Sequence, residues 1–209
     1  MALDEALLEA MPRLRKPVFR DYGWSEAAAS FGYFQKYAEV EGVTLLRPLV
    51  RRPTGGGIVP HDADWTYSLA FPPTDEWYSL TAIESYRRIH EWIQSAFAKL
   101  NVATELAATA RKAAPGQCFA GCEQFDILWH GKKIAGAAQR RNKSGLLIQG
   151  SIQPPPVTGA REHWRQAMRD VVAETGAVWS ELTPDAALLE RTATLEKEKY
   201  SRDSYNRKR

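Results

Sequence analysis

The sequence reads as a strand-rich chain with helices at both ends and one in the middle, a pattern compatible with an α+β fold. Apolar residues at helical spacing mark the first residues, a long central stretch and two stretches near the end. Between them lie short runs rich in aromatic and β-branched residues, broken by glycine and proline. At 209 residues, with 44% hydrophobic and 25% charged residues, the chain suits a single globular domain.

Over residues 2–11, Leu3, Ala6, Leu7 and Ala10 recur at i, i+3, i+4, i+7, and Pro12 is expected to close this helix. Residues 18–22 and 30–34 read as aromatic-rich strands around a loop holding Gly23. Trp24, Phe31, Tyr33 and Phe34 read first as core. Residues 44–52 and 58–59 flank a glycine loop, and 66–71 alternate as a strand before Pro72-Pro73. Over 84–100 a helix places Tyr86, Ile89, Trp92, Ile93, Phe97 and Leu100 on one side, and His90, among charged neighbours, is expected at the surface. A strand is expected within 101–107 and a loop over 109–116. Alternation over 125–129, a His130-Gly131 turn and residues 132–139 predict a hairpin, with 146–152 pairing beside it until Pro154-Pro155-Pro156. Residues 161–174 and 184–199 complete the chain as helices.

Composition narrows the function. No apolar run approaches the roughly 20 residues of a membrane span, and the opening MALDEALLEAM is acidic and helix-prone, so a cytoplasmic protein without a membrane partner is expected. In that reducing compartment Cys118 and Cys122 are thiols, and their C-x3-C spacing lacks companion zinc ligands. The four histidines are scattered, so no metal site is expected. Six basic and three acidic residues fall in 196–209, leaving 22 of each sign elsewhere. The net charge of +3 therefore belongs to a tail over 195–209, expected to be frayed, and a nucleic-acid partner is not expected.

The stretch Arg51-Arg52-Pro53-Thr54-Gly55-Gly56-Gly57-Ile58-Val59-Pro60-His61-Asp62, continuing to Thr66-Tyr67-Ser68-Leu69, has the chemistry of an anion-binding loop. Consecutive glycines weaken a helix or strand, which points to a need for positive φ or close backbone approach. Backbone N–H groups freed there can converge on an oxygen, beside two forked arginines. A plain hairpin turn is the alternative.

This stretch resembles the signature of the biotin/lipoate protein ligase catalytic domain, specifically the lipoate-protein ligases and octanoyltransferases. The segment from Phe125-Asp126-Ile127 to Lys132-Lys133-Ile134-Ala135-Gly136-Ala137-Ala138-Gln139 is similar to that family's Lys-x-x-Gly hairpin, and residues 1–8 and 30–35 match its opening helix and next strand. The resemblance implies an α+β fold, a mixed, largely antiparallel sheet backed by helices, of the class II synthetase-like kind, with residues 1–194 as one catalytic domain. It implies an acyltransferase that moves an octanoyl or lipoyl group from a thioester on acyl carrier protein to the lysine of a lipoyl domain, through a cysteine and without a cofactor. An ATP- and magnesium-dependent lipoate-protein ligase is the alternative, and an inactive carrier-binding module the third reading.

Gly116-Gln117-Cys118-Phe119 resembles the loop carrying the transferase nucleophile, which makes Cys118 the candidate; a buried structural thiol is the competing reading. Cys122 matches nothing. Lys133 is the second catalytic candidate, suited to polarising an acyl carbonyl or holding an α-phosphate, whereas Lys132 should face the opposite side. Substrate-binding candidates are Arg52, Thr54, Gly55, Gly56, Gly57, the His61-Asp62 pair, Ile134, Gly136, Ala137 and Ala138. His61 is read equally as a loop brace or as a participant. Two departures stand out: Gly57 occupies a position where transferases with this cysteine commonly have arginine, and Gln149 one where the family often has histidine.

Overall fold

The computed structural model describes residues 1–111, 121–153 and 161–209. Helix α1 (Ala2–Leu14) leads into strands β1 (Val18–Tyr22) and β2 (Ala28–Phe31), a short helix α2 (Tyr37–Glu41), and strands β3 (Leu49–Arg51), β4 (Val59–His61) and β5 (Trp65–Phe71). Helices α3 (Glu76–Ser79) and α4 (Ala82–Lys99) precede strands β6 (Glu105–Leu106), β7 (Ile127–Trp129), β8 (Lys132–Asn142) and β9 (Gly145–Ile152). Helices α5 (Arg161–Ala173) and α6 (Ala186–Leu195) follow, then a π-helical turn (Glu196–Tyr200) and α7 (Asp203–Asn206).

The strands are mixed and largely antiparallel, as expected, but fall into two sheets. One is antiparallel, ordered β1-β5-β9-β8-β7-β6; the other is β3-β2-β4, with β2 parallel to β3 and antiparallel to β4. Period-two alternation explains how helices cover both faces of the large sheet. Trp65, Tyr67, Leu69 and Phe71 of β5 join Leu146, Ile148 and Ile152 of β9 against Ile89, Ile93 and Phe97 of α4 and Trp164 and Met168 of α5. Ala70 and Leu147, one residue out of phase, meet Leu7, Leu8 and Met11 of α1 and Leu188 and Leu195 of α6. A capping box begins α4: Thr81 Oγ1 accepts from the Glu84 N–H, and Glu84 accepts from the Thr81 N–H. His130 and Gly131, both at positive φ, form the two-residue hairpin turn between β7 and β8.

Several expectations change. Helix α1 continues two residues past Pro12, because proline near a C-terminus removes one bond while Arg15, at φ 56, still caps Met11 O. The strand expected over 44–52 shrinks to Leu49–Arg51, since Pro48 lacks a ladder donor and offers only its carbonyl to Ala29. His90, expected at the surface, is fully buried, with its Nδ1 bonded to Tyr86 O at 2.9 Å.

The frayed tail is also overturned. Lys199 and Tyr200 bond Glu5 of α1, the latter at 2.7 Å, and Asn206 is buried against Arg51. The Arg51 N–H donates to Asn206 Oδ1 at 2.9 Å, and its guanidinium Nη2 donates to Asn206 O at 2.8 Å. A charge count shows the tail's cations but not the buried carboxylate and arginine waiting for it on other elements. Cys118 and the triple proline lie outside the described residues. No described helix is long and apolar enough to cross a membrane.

Candidate active site between the two sheets

A cavity of about 450 Å³ separates the small sheet and its glycine loop from β8 and β9. That volume is within the range of small-molecule sites. Arg52, Gly56, Gly57 and His61 line one side, and Lys133, Gly136, Ala137, Ala138 and Gln149 the other.

The glycine loop is organised by Arg52 rather than by all three glycines. Its Nη2 donates to Gly55 O and Gly57 O, both at 2.8 Å, and curls the loop around the guanidinium. Burial pulls the Arg52 guanidinium down to about 10, so it remains a cation at neutral pH. Gly56 alone of the three has positive φ, at 87°, and a Cβ there would crowd Arg52 and Ala138; at Gly55 and Gly57 it would meet nothing. The tightest glycine is one outside the loop: a Cβ on Gly32 would collide with the backbone of Gly55 and Gly56. Thr54 is buried and donates to Gln149 Oε1 at 2.8 Å, so it braces the loop against β9.

A second chain of bonds starts from the same arginine. Arg52 Nη1 donates to Ser30 Oγ at 3.0 Å, Ser30 Oγ stands 2.6 Å from His61 Nε2, and His61 Nδ1 stands 2.9 Å from Asp64. Asp64 also accepts from Thr66 and Ser151, both at 2.7 Å, and Trp24 stacks on the imidazole at 4.1 Å. This ordering assigns the ring proton to Nδ1 and the Ser30 proton to Nε2. Of the His61-Asp62 pair marked in the sequence, Asp62 is exposed, and the carboxylate that His61 meets is that of Asp64. The bend at residues 62–63, directly after β4, decides which aspartate turns inward, and adjacency in sequence does not.

Lys133 is held by a residue not singled out from the sequence. Its Nζ lies 2.7 Å from Asp126, a fully buried carboxylate that also accepts from the Tyr86 hydroxyl and from the Glu123 N–H. The register of β7 against β8 slips beside Lys133, the kind of bulge that re-aims a side chain. Gly136 acquires a physical role: a Cβ would lie 2.9 Å from Lys133 Nζ and from Asp126 Oδ1, so its absence makes room for this ion pair. Ile134 is not a cavity residue. It is buried in the core cluster that includes Ile89, Ile93 and Phe97 of α4. Lys132 is exposed, as expected.

Asp4 and Tyr22 were likewise not foreseen. Buried Asp4 accepts from Arg20, Tyr22, Ser68 and Gln149, at 2.7, 2.9, 2.8 and 2.7 Å. Gln149, which replaces an expected histidine, thereby links Asp4 to Thr54.

The family model for the lipoyl protein ligase A/B catalytic domain matches residues 1–169. The chain belongs to this family. Among its relatives is the octanoyltransferase LipM of Staphylococcus aureus, 34% identical over 165 residues, covering 73% of this chain and 60% of that protein. The LipM of Bacillus subtilis is 36% identical, covering 73% and 59%. The chain thus spans about three fifths of the length of these curated relatives. In fold, this family member resembles a putative lipoate protein ligase from T. acidophilum, with TM-score 0.80 at 21% identity over 100% of this chain and 92% of that one. It also resembles a lipoate-protein ligase A bound with ATP, with TM-score 0.76 at 22% identity over 99% and 92%.

Proposed function

We propose that this chain is an octanoyl or lipoyl transferase working through an acyl-enzyme on Cys118. The observation that carries the acyl-handling part of the reading is the Lys133 ammonium at the cavity wall, fixed by Asp126 and given room by Gly136. The relatives named octanoyltransferases support octanoyl transfer rather than ligation.

In the first step the Cys118 thiolate attacks the thioester carbonyl of an acyl carrier protein. The new C–S bond forms as the carrier's C–S bond breaks, and the carrier thiol takes up the proton that Cys118 released. Lys133 supplies positive charge to the developing oxyanion. In the second step the amine of a lipoyl-domain lysine attacks the acyl-enzyme, an amide forms, and the cysteine sulfur leaves and recovers a proton. Thiol–thioester exchange is nearly balanced in energy, so no nucleotide is required. In the ATP-dependent alternative, Lys133 and the glycine loop are the groups that would face the carboxylate and α-phosphate.

The deciding experiment is intact-mass measurement of an apo lipoyl domain after incubation with octanoyl-acyl carrier protein, against free octanoate with ATP and magnesium. Modification in the first arm alone is expected. A hydroxylamine-sensitive octanoyl adduct should form on Cys118, disappear in Cys118→Ser and persist in Cys122→Ser. Modification only in the ATP arm, with no adduct trapped, would reject the transferase reading in favour of the ligase.

A further inference from the structure

Three elements converge on Asp126. The Tyr86 hydroxyl reaches it from α4, the Lys133 ammonium from β8 at 2.7 Å, and the Glu123 N–H from the segment before β7 at 2.6 Å. A fully buried carboxylate engaged on both oxygens has little freedom to rotate. A lysine on its four-carbon stem otherwise explores many rotamers, so this anchor decides where its charge stands.

Tyr86 is itself fixed. Its hydroxyl receives the Ala137 N–H at 3.4 Å, its ring meets the His90 ring edge-on at 4.3 Å, and its carbonyl bonds His90 Nδ1. Burial, followed by the nearby Asp126 charge, pushes its phenol far above the ordinary tyrosine value, so it stays a donor. Tyr86 also lines the cavity, as do Gly121 and Glu123.

We infer that Tyr86 and Asp126 are positioning residues for acyl transfer: Asp126 sets where the Lys133 ammonium stands, and Tyr86, through its hydroxyl, sets Asp126. This rests on the proposal that Lys133 handles charge at the acyl carbonyl.

The test uses the 209-residue chain as parent, Tyr86→Phe, Asp126→Asn, Asp126→Glu and Lys133→Ala. Each is assayed for transfer from octanoyl-acyl carrier protein to an apo lipoyl domain. Each protein that keeps Lys133 is also treated with a limiting amine-reactive anhydride, and labelling of Lys133 is read by peptide mass. Displacing a catalytic group by an ångström can cost about 100-fold. Tyr86→Phe is accordingly expected to lower kcat by about tenfold and Asp126→Asn by about 100-fold, with KM nearly unchanged. Both should alter Lys133 labelling severalfold, and Asp126→Glu should recover part of the loss. If Asp126→Asn fails to fold, Tyr86→Phe, which keeps the ring, carries the test. Parental kcat and labelling in Tyr86→Phe would overturn the inference while an inactive Lys133→Ala leaves the role of Lys133 intact. A lower kcat with unaltered labelling also overturns it, since Tyr86 would then act on substrate rather than on Lys133. A fully active Lys133→Ala would bring down both readings.

Discussion

Gly32→Ala should damage the site although it adds one methyl group outside the cavity. The new Cβ would stand 2.9 Å from the carbonyl carbons of Gly55 and Gly56, and nearer still to Gly56 O. Ordinary van der Waals contact begins near 3.4 Å, and the Gly56 O contact is the limiting one, so the loop must retreat by more than about 1 Å. The obstacle is backbone, which cannot rotate away as a side chain would. Gly32 does not use positive φ, so the effect is purely one of contact. The retreat strains the Arg52 bonds to Gly55 O and Gly57 O and the bond from the Tyr33 N–H to Thr54 O, at 2.9 Å. Bonds to a charged group contribute about 1.5–3 kcal/mol each, and overpacking costs about 1–3 kcal/mol, so a loss of about 2–4 kcal/mol is expected. In a chain of this size that is roughly 5–15 °C in melting temperature. Binding of a non-hydrolysable octanoyl thioester should weaken about tenfold, matching a loop misplacement worth about 1.4 kcal/mol. Gly55→Ala, whose methyl meets nothing within 4 Å, is the control and should melt close to the parent. Equal melting and equal binding for the two variants would refute the contact argument.

Other perturbations separate residues that look alike in the sequence. Asp64→Ala strands three buried donors and should cost about 3 kcal/mol or more in denaturant unfolding, whereas Asp62→Ala, at an exposed position, should change stability by less than about 0.5 kcal/mol. His90 carries a pH signature: burial, only partly opposed by the Asp126 charge, pulls its imidazole from 6.5 to about 4. As pH falls through that interval the unfolded chain takes up a proton that the folded chain refuses, so stability declines by about 3 kcal/mol, and His90→Phe should flatten that slope in unfolding curves between pH 7 and 4. Asn206→Ala removes the acceptor of the Arg51 N–H and should cost about 1–3 kcal/mol, read by thermal melting, a loss that a frayed tail would not show.

What the sequence determined by itself is what short-range chemistry can encode. Hydrophobic spacing placed α1, α4, α5 and α6 and the strands of the large sheet, because burial on a helix or strand repeats with a fixed period. The His130-Gly131 turn was legible because backbone sterics restrict which residues accept positive φ. Lys133 and Gly136 stood out in the sequence only through the resemblance to the family's Lys-x-x-Gly hairpin. Tertiary structure alone decided the partners of buried charge. Asp126 with Lys133 and Tyr86, Asp64 with His61, Asp4 with Gln149, and Arg51 with Asn206 join residues whose meeting depends on how distant strands and helices pack. An ionised group cannot stay buried without such partners, so packing that brings them together is selected along with the fold. The same reason explains His90 and the tail. Charged neighbours in sequence suggested exposure for both, yet one lies behind Tyr86 and the other is anchored to α1 and β3. In the glycine loop the sequence marked the segment, but only packing showed that Gly56, beside Arg52 and Ala138, and Gly32, just after β2 and against the loop backbone, lack room for a side chain.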